Sequence, residues 1–218
     1  MPKMIVRIDN ESQSIQYLCK KDKRLAKVIS KVGPLTYSVG EIDSYSFLIH
    51  EIIEQMLSIK AGEKIYQRLV DLCDGDISVE AINSLSDDQI RSIGTSKAKV
   101  TYIRSLSEHV SMGKLDFEEL RTIPKKDAMK KLTSVKGIGS WTAKMYLIFI
   151  LDAQDILPYE DMTFINAYKW LYKTDDVSRK AIEKKCKKWK PYSSIAARYL
   201  YQALDLGMTK QEFHLYKD

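Results

Sequence analysis

Residues 132–151 read LTSVKGIGSWTAKMYLIFIL, and this stretch indicates two helices joined by a tight turn. The turn contains Gly137 and Gly139, and the second helix is expected to begin at Ser140. Glycine permits a positive φ and lets backbone amides approach a ligand closely. Amides at a helix N-terminus suit a phosphate. The stretch therefore predicts a helical fold around a phosphate-binding hairpin, and an ordinary helix–helix turn is the alternative.

A second segment, residues 157–172 (LPYEDMTFINAYKWLY), places Asp161 at the start of another helix. Aspartate is a favoured N-cap residue, so a purely structural role is one explanation. A capping box is excluded because Phe164 stands where it needs Glu or Gln. The helix N-terminus also stabilises an ionised carboxylate, and a fixed anion can stabilise developing positive charge. The hairpin and this acid together point to an enzyme that works on DNA.

Composition sets limits on the class of protein. The 218 residues suffice for one core or two intimately packed lobes. Lys and Arg number 35 against 29 Asp and Glu, and this net charge of +6 permits a nucleic-acid partner without demanding one. The longest apolar run, 145–151, is too short to span a bilayer. Three scattered cysteines indicate reduced thiols in an intracellular protein, and three scattered histidines predict no zinc centre.

Helical periodicity runs through most of the chain, so we predict an all-α fold. A hydrophobic stripe from Tyr45 to Ile59 is expected to be helical and to carry Met56. Strand-type alternation is scarce and is confined to residues 4–8, while Val39-Gly40 is expected to be loop. Further helices are expected at 79–84 after Ser78, at 87–92 after Ser86, at 97–111, at 117–121, and from Pro124 to the hairpin.

Several motifs, taken in order, carry a family resemblance. They are Gln55-Met56-Leu57-Ser58, the I-G-T-S-K-A stretch at 93–98, V-K-G-I-G-S-W-T-A followed by L-P-x-x-D, and Trp189-Lys190-Pro191-Tyr192. The chain resembles the helix-hairpin-helix DNA glycosylases, specifically the 3-methyladenine DNA glycosylase II branch, in a compact form without the N-terminal β domain. The resemblance implies a single domain, 1–218, with two helical lobes and a DNA-binding cleft between them. One lobe would span about 45–151, and the other about 1–44 plus 152–218.

This resemblance implies a monofunctional DNA glycosylase of base excision repair. Such an enzyme flips an alkylated purine, 3-methyladenine or 7-methylguanine, out of double-stranded DNA and hydrolyses its N-glycosidic bond. Asp161 would be the catalytic residue, since breaking that bond builds positive charge on the deoxyribose, and Glu160 is its nearest rival. Trp141 stands where bifunctional relatives carry a Schiff-base lysine. We therefore expect base removal without strand cleavage by a monomeric protein that needs no membrane and works in the cytoplasm, nucleoid or nucleus.

The same resemblance implies further site residues. Met56 would be the wedge that fills the gap left by the flipped nucleotide. Core positions are the alternatives for Met56, Trp141 and Tyr201, and Met145 stands where some relatives have a pocket tyrosine, which leaves the lesion preference open. The full predicted sets are Trp141, Tyr201, Met145 and Tyr146 for the base pocket, and Gln55, Met56, Gly137, Gly139, Ser140, Thr142 and Lys144 for DNA contact.

No cofactor is expected for catalysis. The backbone carbonyls of Thr133, Val135 and Gly137 are implied by the resemblance to hold a structural Na⁺ or K⁺ ion. The four-cysteine loop of iron–sulfur relatives is absent from the sequence, so no such cluster is expected.

Two other functions stay open. One is a non-catalytic helix-hairpin-helix DNA-binding protein with a decayed site, against which the intact Asp161 argues. The other is a helical protein-interaction module, which would need neither a glycine hairpin nor DNA affinity. The basic segment 179–190 (RKAIEKKCKKWK) also has two interpretations, a solvated helix face or a rim that faces phosphates.

Overall fold

The computed structural model describes residues 4–216, apart from the side chain of Ile59. Helices dominate the described residues, as predicted, and their one sheet has two strands. These residues pack as two compact units. The central unit spans Ile42–Leu151, and the composite unit combines the described residues up to Glu41 with those from Asp152 onward.

The composite unit begins with a strand pair that encloses two helices in sequence. The elements are β1 (Met4–Ile8), α1 (Gln13–Lys21), α2 (Lys23–Val32) and β2 (Leu35–Val39), and the two strands pair antiparallel. The short strand predicted at residues 4–8 is confirmed. The loop predicted at Val39 is wrong, because Val39 pairs with Met4 at the end of β2. Alternation of Leu35, Tyr37 and Val39 is the strand signal that explains this.

The central unit is built from helices that surround α3. Its elements are α3 (Ser44–Glu54), α4 (Ile59–Leu72), α5 (Val79–Ser84), α6 (Asp87–Ser92), α7 (Lys97–Ser111), α8 (Phe117–Thr122), α9 (Lys125–Ser134) and α10 (Ser140–Phe149). Helix α3 packs against α4, α7 and α10. It buries an apolar set made of Phe47, Leu48, Ile49, Ile52 and Ile53. This core fixes the ends of α3 and α10, where the predicted DNA contacts lie.

The composite unit continues after the central unit. It contains α11 (Met162–Tyr172), α12 (Arg179–Cys186), a 3₁₀ turn (Lys187–Trp189), α13 (Ser193–Asp205) and a second 3₁₀ turn (Met208–Lys210). Helix α13 packs against α2 and α11. Among the described residues, no helix combines the length and the apolar composition that crossing a membrane requires.

Most predicted helix limits are confirmed, and one is wrong. The helices at 79–84, 87–92 and 97–111 begin and end where the sequence predicted, with Ser78 and Ser86 as N-caps. The stripe from Tyr45 to Ile59 does not form one helix, because α3 ends at Glu54 and α4 begins at Ile59. Met56 lies between them at a φ of 60° and so leaves the helical path.

Asp22 organises the core of the composite unit. It is 2% exposed, and one carboxylate oxygen accepts the N–H groups of Arg24 and Leu25 at the start of α2. The other oxygen accepts the Tyr172 hydroxyl and the Trp189 indole N–H, and it pairs with Lys188 at 3.0 Å. Burial alone would raise the pKa of Asp22, but these donors outweigh burial and lower it. The carboxylate is therefore held ionised in the core.

Acid should destabilise the fold through Asp22. Because the pKa is lowered in the folded state, the stabilisation is present above the unfolded pKa of about 3.9 and is lost as the pH falls through the lower folded value. Asp22→Asn leaves buried donors facing an amide, so we expect the free energy of unfolding at pH 7 to fall by about 2 kcal/mol. Urea unfolding between pH 3 and 7 measures both effects. Asp205→Asn, at an exposed position, is the control and should lose stability at low pH in the same way as the wild type. If Asp22→Asn also showed the wild-type loss of stability between pH 7 and 3, this account would be contradicted.

Candidate functional site

The turn between α9 and α10 presents backbone to solvent. Val135 and Ile138 are 2% and 3% exposed and anchor the turn in the core, whereas Gly139 and Ser140 are exposed. The Ile138 N–H donates to the Val135 carbonyl at 3.0 Å, and Gly137 has a φ of 96°. The first amides of α10 lack partners within the helix by geometry. The structure thus confirms the glycine turn at the start of α10, and phosphate binding there stays a prediction.

Tyr102 of α7 packs directly against the hairpin. A Cβ built on Gly137 would lie 2.2 Å from Cγ of the Tyr102 ring. No side chain fits in that space, and the left-handed backbone also disfavours one. Glycine at this position is thus required by the fold of the turn itself.

Met56 projects from the loop that joins α3 and α4, residues 55–58. Its side chain is 101% exposed, and its backbone has a φ of 60°. The alternative of a core methionine is therefore wrong. A large apolar side chain held in water on a left-handed backbone costs free energy, and such strain is typical of functional positions.

Gln55 ties the 55–58 loop to the hairpin. Its side-chain amide donates to the Gly137 carbonyl at 2.8 Å and to the Thr142 hydroxyl at 3.3 Å. The structure thus brings together Gln55, Met56, Gly137 and Thr142, four of the residues predicted for DNA contact. In this structure the Gln55 amide faces the hairpin. Sequence reasoning missed the contact because it joins residues 82 positions apart.

Several predicted site residues of α10 are buried. Thr142, Lys144, Met145 and Tyr146 are 1%, 7%, 4% and 0% exposed, whereas Trp141 is half-buried. The Tyr146 hydroxyl donates to Ser44 at 2.9 Å, and its ring packs against Phe47 and Phe117.

These positions correct four predictions. Met145 and Tyr146 are core residues and not pocket residues, and the side chains of Thr142 and Lys144 are not presented to DNA. The cause is that α10 is apolar nearly all round, and such helices are buried.

Asp161 caps α11, as predicted. Its Oδ1 accepts the Phe164 N–H at 2.7 Å, and the residue is 8% exposed. Its own N–H donates to the Pro158 carbonyl at 3.0 Å, and Phe164 is completely buried. The neighbouring Glu160 is exposed. The carboxylate of Asp161 is therefore held in place at a helix N-terminus, where a negative charge is stabilised.

Tyr201 and the W-K-P-Y motif belong to the composite unit, like Asp161. Tyr201 is half-buried on α13 and packs against the core. Trp189 is 0% exposed, and its contact with Asp22 makes it structural. Tyr192 packs edge-to-face on Tyr17 with 5.5 Å between the ring centroids. The motif thus supports the helix that carries Tyr201.

The basic segment 179–190 has mixed surroundings. Lys188 pairs with buried Asp22, and the Arg179 guanidinium lies 4.7 Å from the centre of the Tyr159 ring. The other cationic side chains, Lys180, Lys184, Lys185, Lys187 and Lys190, are exposed. Lys188 is thus structural, and a phosphate-facing role stays a prediction for the exposed lysines.

The predicted carbonyl donors for a cation lie around the hairpin. Thr133 belongs to the last turn of α9, whose carbonyls lack intrahelical donors. The Val135 and Gly137 carbonyls accept the Ile138 N–H and the Gln55 amide. A carbonyl oxygen has two lone pairs, so each keeps one for another ligand. Carbonyl oxygens are the donor type that a hard cation prefers, and a bound Na⁺ or K⁺ ion here stays a prediction.

One cluster of potential metal ligands was missed by sequence reasoning. His50 and Glu54 lie one turn apart on α3, and Glu63 of α4 joins them with all three donor atoms within 4.8 Å. His50 Nε2 lies 3.3 Å from Glu63 and 3.6 Å from Glu54. Burial raises the pKa of Glu54, and Glu63 adds to the rise. The hydrogen-bond contact of the His50 imidazole with Glu63 and its proximity to Glu54 account for the cluster without a metal.

Similarity to known proteins identifies the family to which this chain belongs. A family model described as HhH-GPD superfamily base excision DNA repair protein matches residues 49–191. The chain is 28% identical over 189 residues to DNA-3-methyladenine glycosylase 1 of Schizosaccharomyces pombe, covering 85% of this chain and 82% of that protein.

Solved structures agree. A DNA-3-methyladenine glycosidase from Bacillus halodurans superposes with a TM-score of 0.83 at 33% identity, covering 96% of this chain and 97% of that one. The 3-methyladenine DNA glycosylase of Schizosaccharomyces pombe in complex with abasic DNA gives a TM-score of 0.81 at 25% identity, covering 95% and 100%. With these matches across its length, and with its glycine hairpin and capped Asp161, the chain belongs to the HhH-GPD superfamily of base excision DNA repair proteins.

Proposed function

We propose that this enzyme is a monofunctional DNA glycosylase that excises alkylated purines, 3-methyladenine and 7-methylguanine, from double-stranded DNA inside the cell. The observation that carries the proposal is Asp161, a carboxylate held at the N-terminus of α11. The names of the relatives, which include 3-methyladenine glycosylases of a bacterium and a yeast, support this lesion class.

In this mechanism Asp161 stabilises positive charge on the sugar and does not donate a proton. Cleavage of the N-glycosidic bond leaves the electron pair on the base and builds positive charge on the deoxyribose. A fixed carboxylate stabilises that charge, and water then adds to the anomeric carbon and loses a proton. A methylated purine already carries a positive charge and leaves as a neutral base. The reaction therefore needs no general acid.

In this proposal the central unit binds the DNA backbone, and each unit contributes an aromatic side chain for the base. The hairpin amides near Ser140 bind a backbone phosphate, and exposed Met56 fills the space of the flipped nucleotide. Half-buried Trp141 and Tyr201 each offer an aromatic face that attracts a cationic base. A Na⁺ or K⁺ ion on the Thr133, Val135 and Gly137 carbonyls would add positive charge beside the phosphate.

Base release from methylated DNA tests this function. Duplex DNA treated with a methylating agent is incubated with the protein, and free bases are separated chromatographically. We expect 3-methyladenine and 7-methylguanine to appear while the strands stay intact until alkali cleaves the abasic sites. Binding of abasic DNA without any base release would instead favour the non-catalytic DNA-binding protein.

Strand cleavage and covalent trapping should be absent. Trp141 cannot form a Schiff base, and Lys144 on the same helix is 7% exposed. Borohydride added during the reaction on methylated duplex should therefore give no cross-linked protein on a denaturing gel. A bifunctional glycosylase with a known lyase lysine serves as the positive control. A trapped band from this protein would identify an amine nucleophile and contradict the monofunctional mechanism.

A further inference from the structure

Lys99 of α7 holds the backbone from which Met56 projects. Its ammonium donates to the carbonyls of Ile53 and Gln55, each at 2.7 Å. These carbonyls flank Glu54, the last residue of α3, where a helix leaves acceptors without intrahelical donors. The lysine therefore caps α3 and fixes the chain on the residue just before Met56.

The loop is held from a second direction through Gln55. The Lys99 ammonium donates to the Gln55 carbonyl, while the Gln55 side-chain amide donates to the Gly137 carbonyl of the hairpin. Tyr102, which lies three residues after Lys99 on α7, packs against that same glycine. Helix α7 thus supports both the 55–58 loop and the hairpin.

Holding the Lys99 ammonium against two carbonyls has a desolvation cost that a fully exposed lysine does not have. Lys99 is half-buried and its ammonium donates to two carbonyls, so it is partly withdrawn from water; burial accordingly lowers its pKa. Met56 is simultaneously held exposed at a φ of 60°. A strained backbone persists only where its surroundings over-determine it. Here the Leu57 N–H donates to the Glu54 carbonyl at 3.0 Å and closes the turn, while Lys99 and Gln55 tie that turn to α7 and to the hairpin.

We propose that Lys99 is a positioning residue for nucleotide flipping, which acts by holding residues 55–58 in the conformation that presents Met56 to DNA. This inference rests on the proposed wedge role of Met56. It predicts that Lys99 matters when a nucleotide is extruded and much less when intact duplex is bound. A lysine that only stabilised α3 would have no such preference.

The test compares affinity for a duplex with an abasic-site analogue against affinity for the same duplex undamaged. This ratio cancels the general loss of affinity that follows from removing one positive charge. Lys99→Met keeps the length of the side chain and removes the ammonium, and we expect it to lower the ratio on the order of tenfold. Lys114→Met, at an exposed position after α7, is the charge-matched control and should leave the ratio unchanged.

A double-mutant cycle separates positioning from general stability. Met56→Ala should itself lower the ratio, because its side chain no longer fills the extruded position. In that background Lys99→Met should lower the ratio by no more than about twofold, since residues that act together are not additive. If Lys99→Met does not fold, Lys99→Arg keeps the charge and the donors in another geometry, and a smaller loss with the same dependence on Met56 is expected.

The outcomes distinguish the two proposals. If Met56→Ala lowers the ratio and neither Lys99 variant lowers it, only the positioning role of Lys99 is overturned. A loss from Lys99 substitution that is equally large in the Met56→Ala background also overturns it, because the lysine then acts elsewhere. A ratio unchanged in Met56→Ala overturns the wedge role and the role of Lys99 with it.

Discussion

Gly137→Ala should lower the free energy of unfolding by roughly 2–5 kcal/mol, the sum of a backbone and a packing effect. Alanine at a φ of 96° is in the left-handed region, which costs about 1–2 kcal/mol. Its Cβ would also lie 2.2 Å and 2.4 Å from Cγ and Cβ of Tyr102, and overpacking of this kind costs about 1–3 kcal/mol. DNA affinity should fall as well, because the hairpin must shift to relieve the contact.

Two matched variants separate these effects in urea unfolding. Tyr102→Ala clears the space, so Gly137→Ala should cost less in that background and retain only the backbone penalty. Gly139→Ala meets nothing within 4 Å at a φ of −89°, and it should cost about 1 kcal/mol or less as a change at an N-cap. Wild-type stability in Gly137→Ala would show that the turn tolerates a side chain and would contradict the packing described here.

Local signals allowed part of the site to be predicted from the sequence. The hairpin limits follow from glycines between two helical periods, and α10 begins at Ser140 as predicted. The N-cap role of Asp161 depends only on residues within one helical turn. Such features need no knowledge of the tertiary structure, and for this reason they were predictable.

Contacts between distant residues were not predictable. The Trp189–Asp22 hydrogen bond joins residues 167 positions apart, and the Gln55–Gly137 bond joins residues 82 apart. Tyr146 was assigned to the base pocket because it lies next to Met145, the position at which the resemblance implies a pocket tyrosine. Its packing against Phe47 and Phe117 decides otherwise.

The break between α3 and α4 shows how periodicity can mislead. The apolar pattern runs on through Met56, so it predicted one helix, although the backbone leaves the helix there. Ser58 is the residue in the sequence that indicates a new helix start, because serine is a favoured N-cap and here it caps α4 by accepting the Ala61 N–H at 3.3 Å. The exposed Met56 depends on this break, and so does the proposed wedge.

Asp161→Asn should abolish most of the chemistry while it preserves the fold. Asparagine caps helices about as well as aspartate, so the bond to the Phe164 N–H can persist. The substitution removes the negative charge that stabilises the sugar cation. Losing one preorganised electrostatic group costs on the order of 100-fold or more in rate. Affinity for DNA with an abasic-site analogue should stay close to wild type.

Glu160→Gln is the matched control, because it removes a carboxylate from the adjacent, exposed position. The decisive measurement is the single-turnover rate of 3-methyladenine release from methylated duplex, with enzyme in excess so that binding does not limit the rate. We predict a loss on the order of 100-fold or more for Asp161→Asn and a rate near wild type for Glu160→Gln. A wild-type rate for a folded, DNA-binding Asp161→Asn would contradict the role of Asp161 as the catalytic carboxylate.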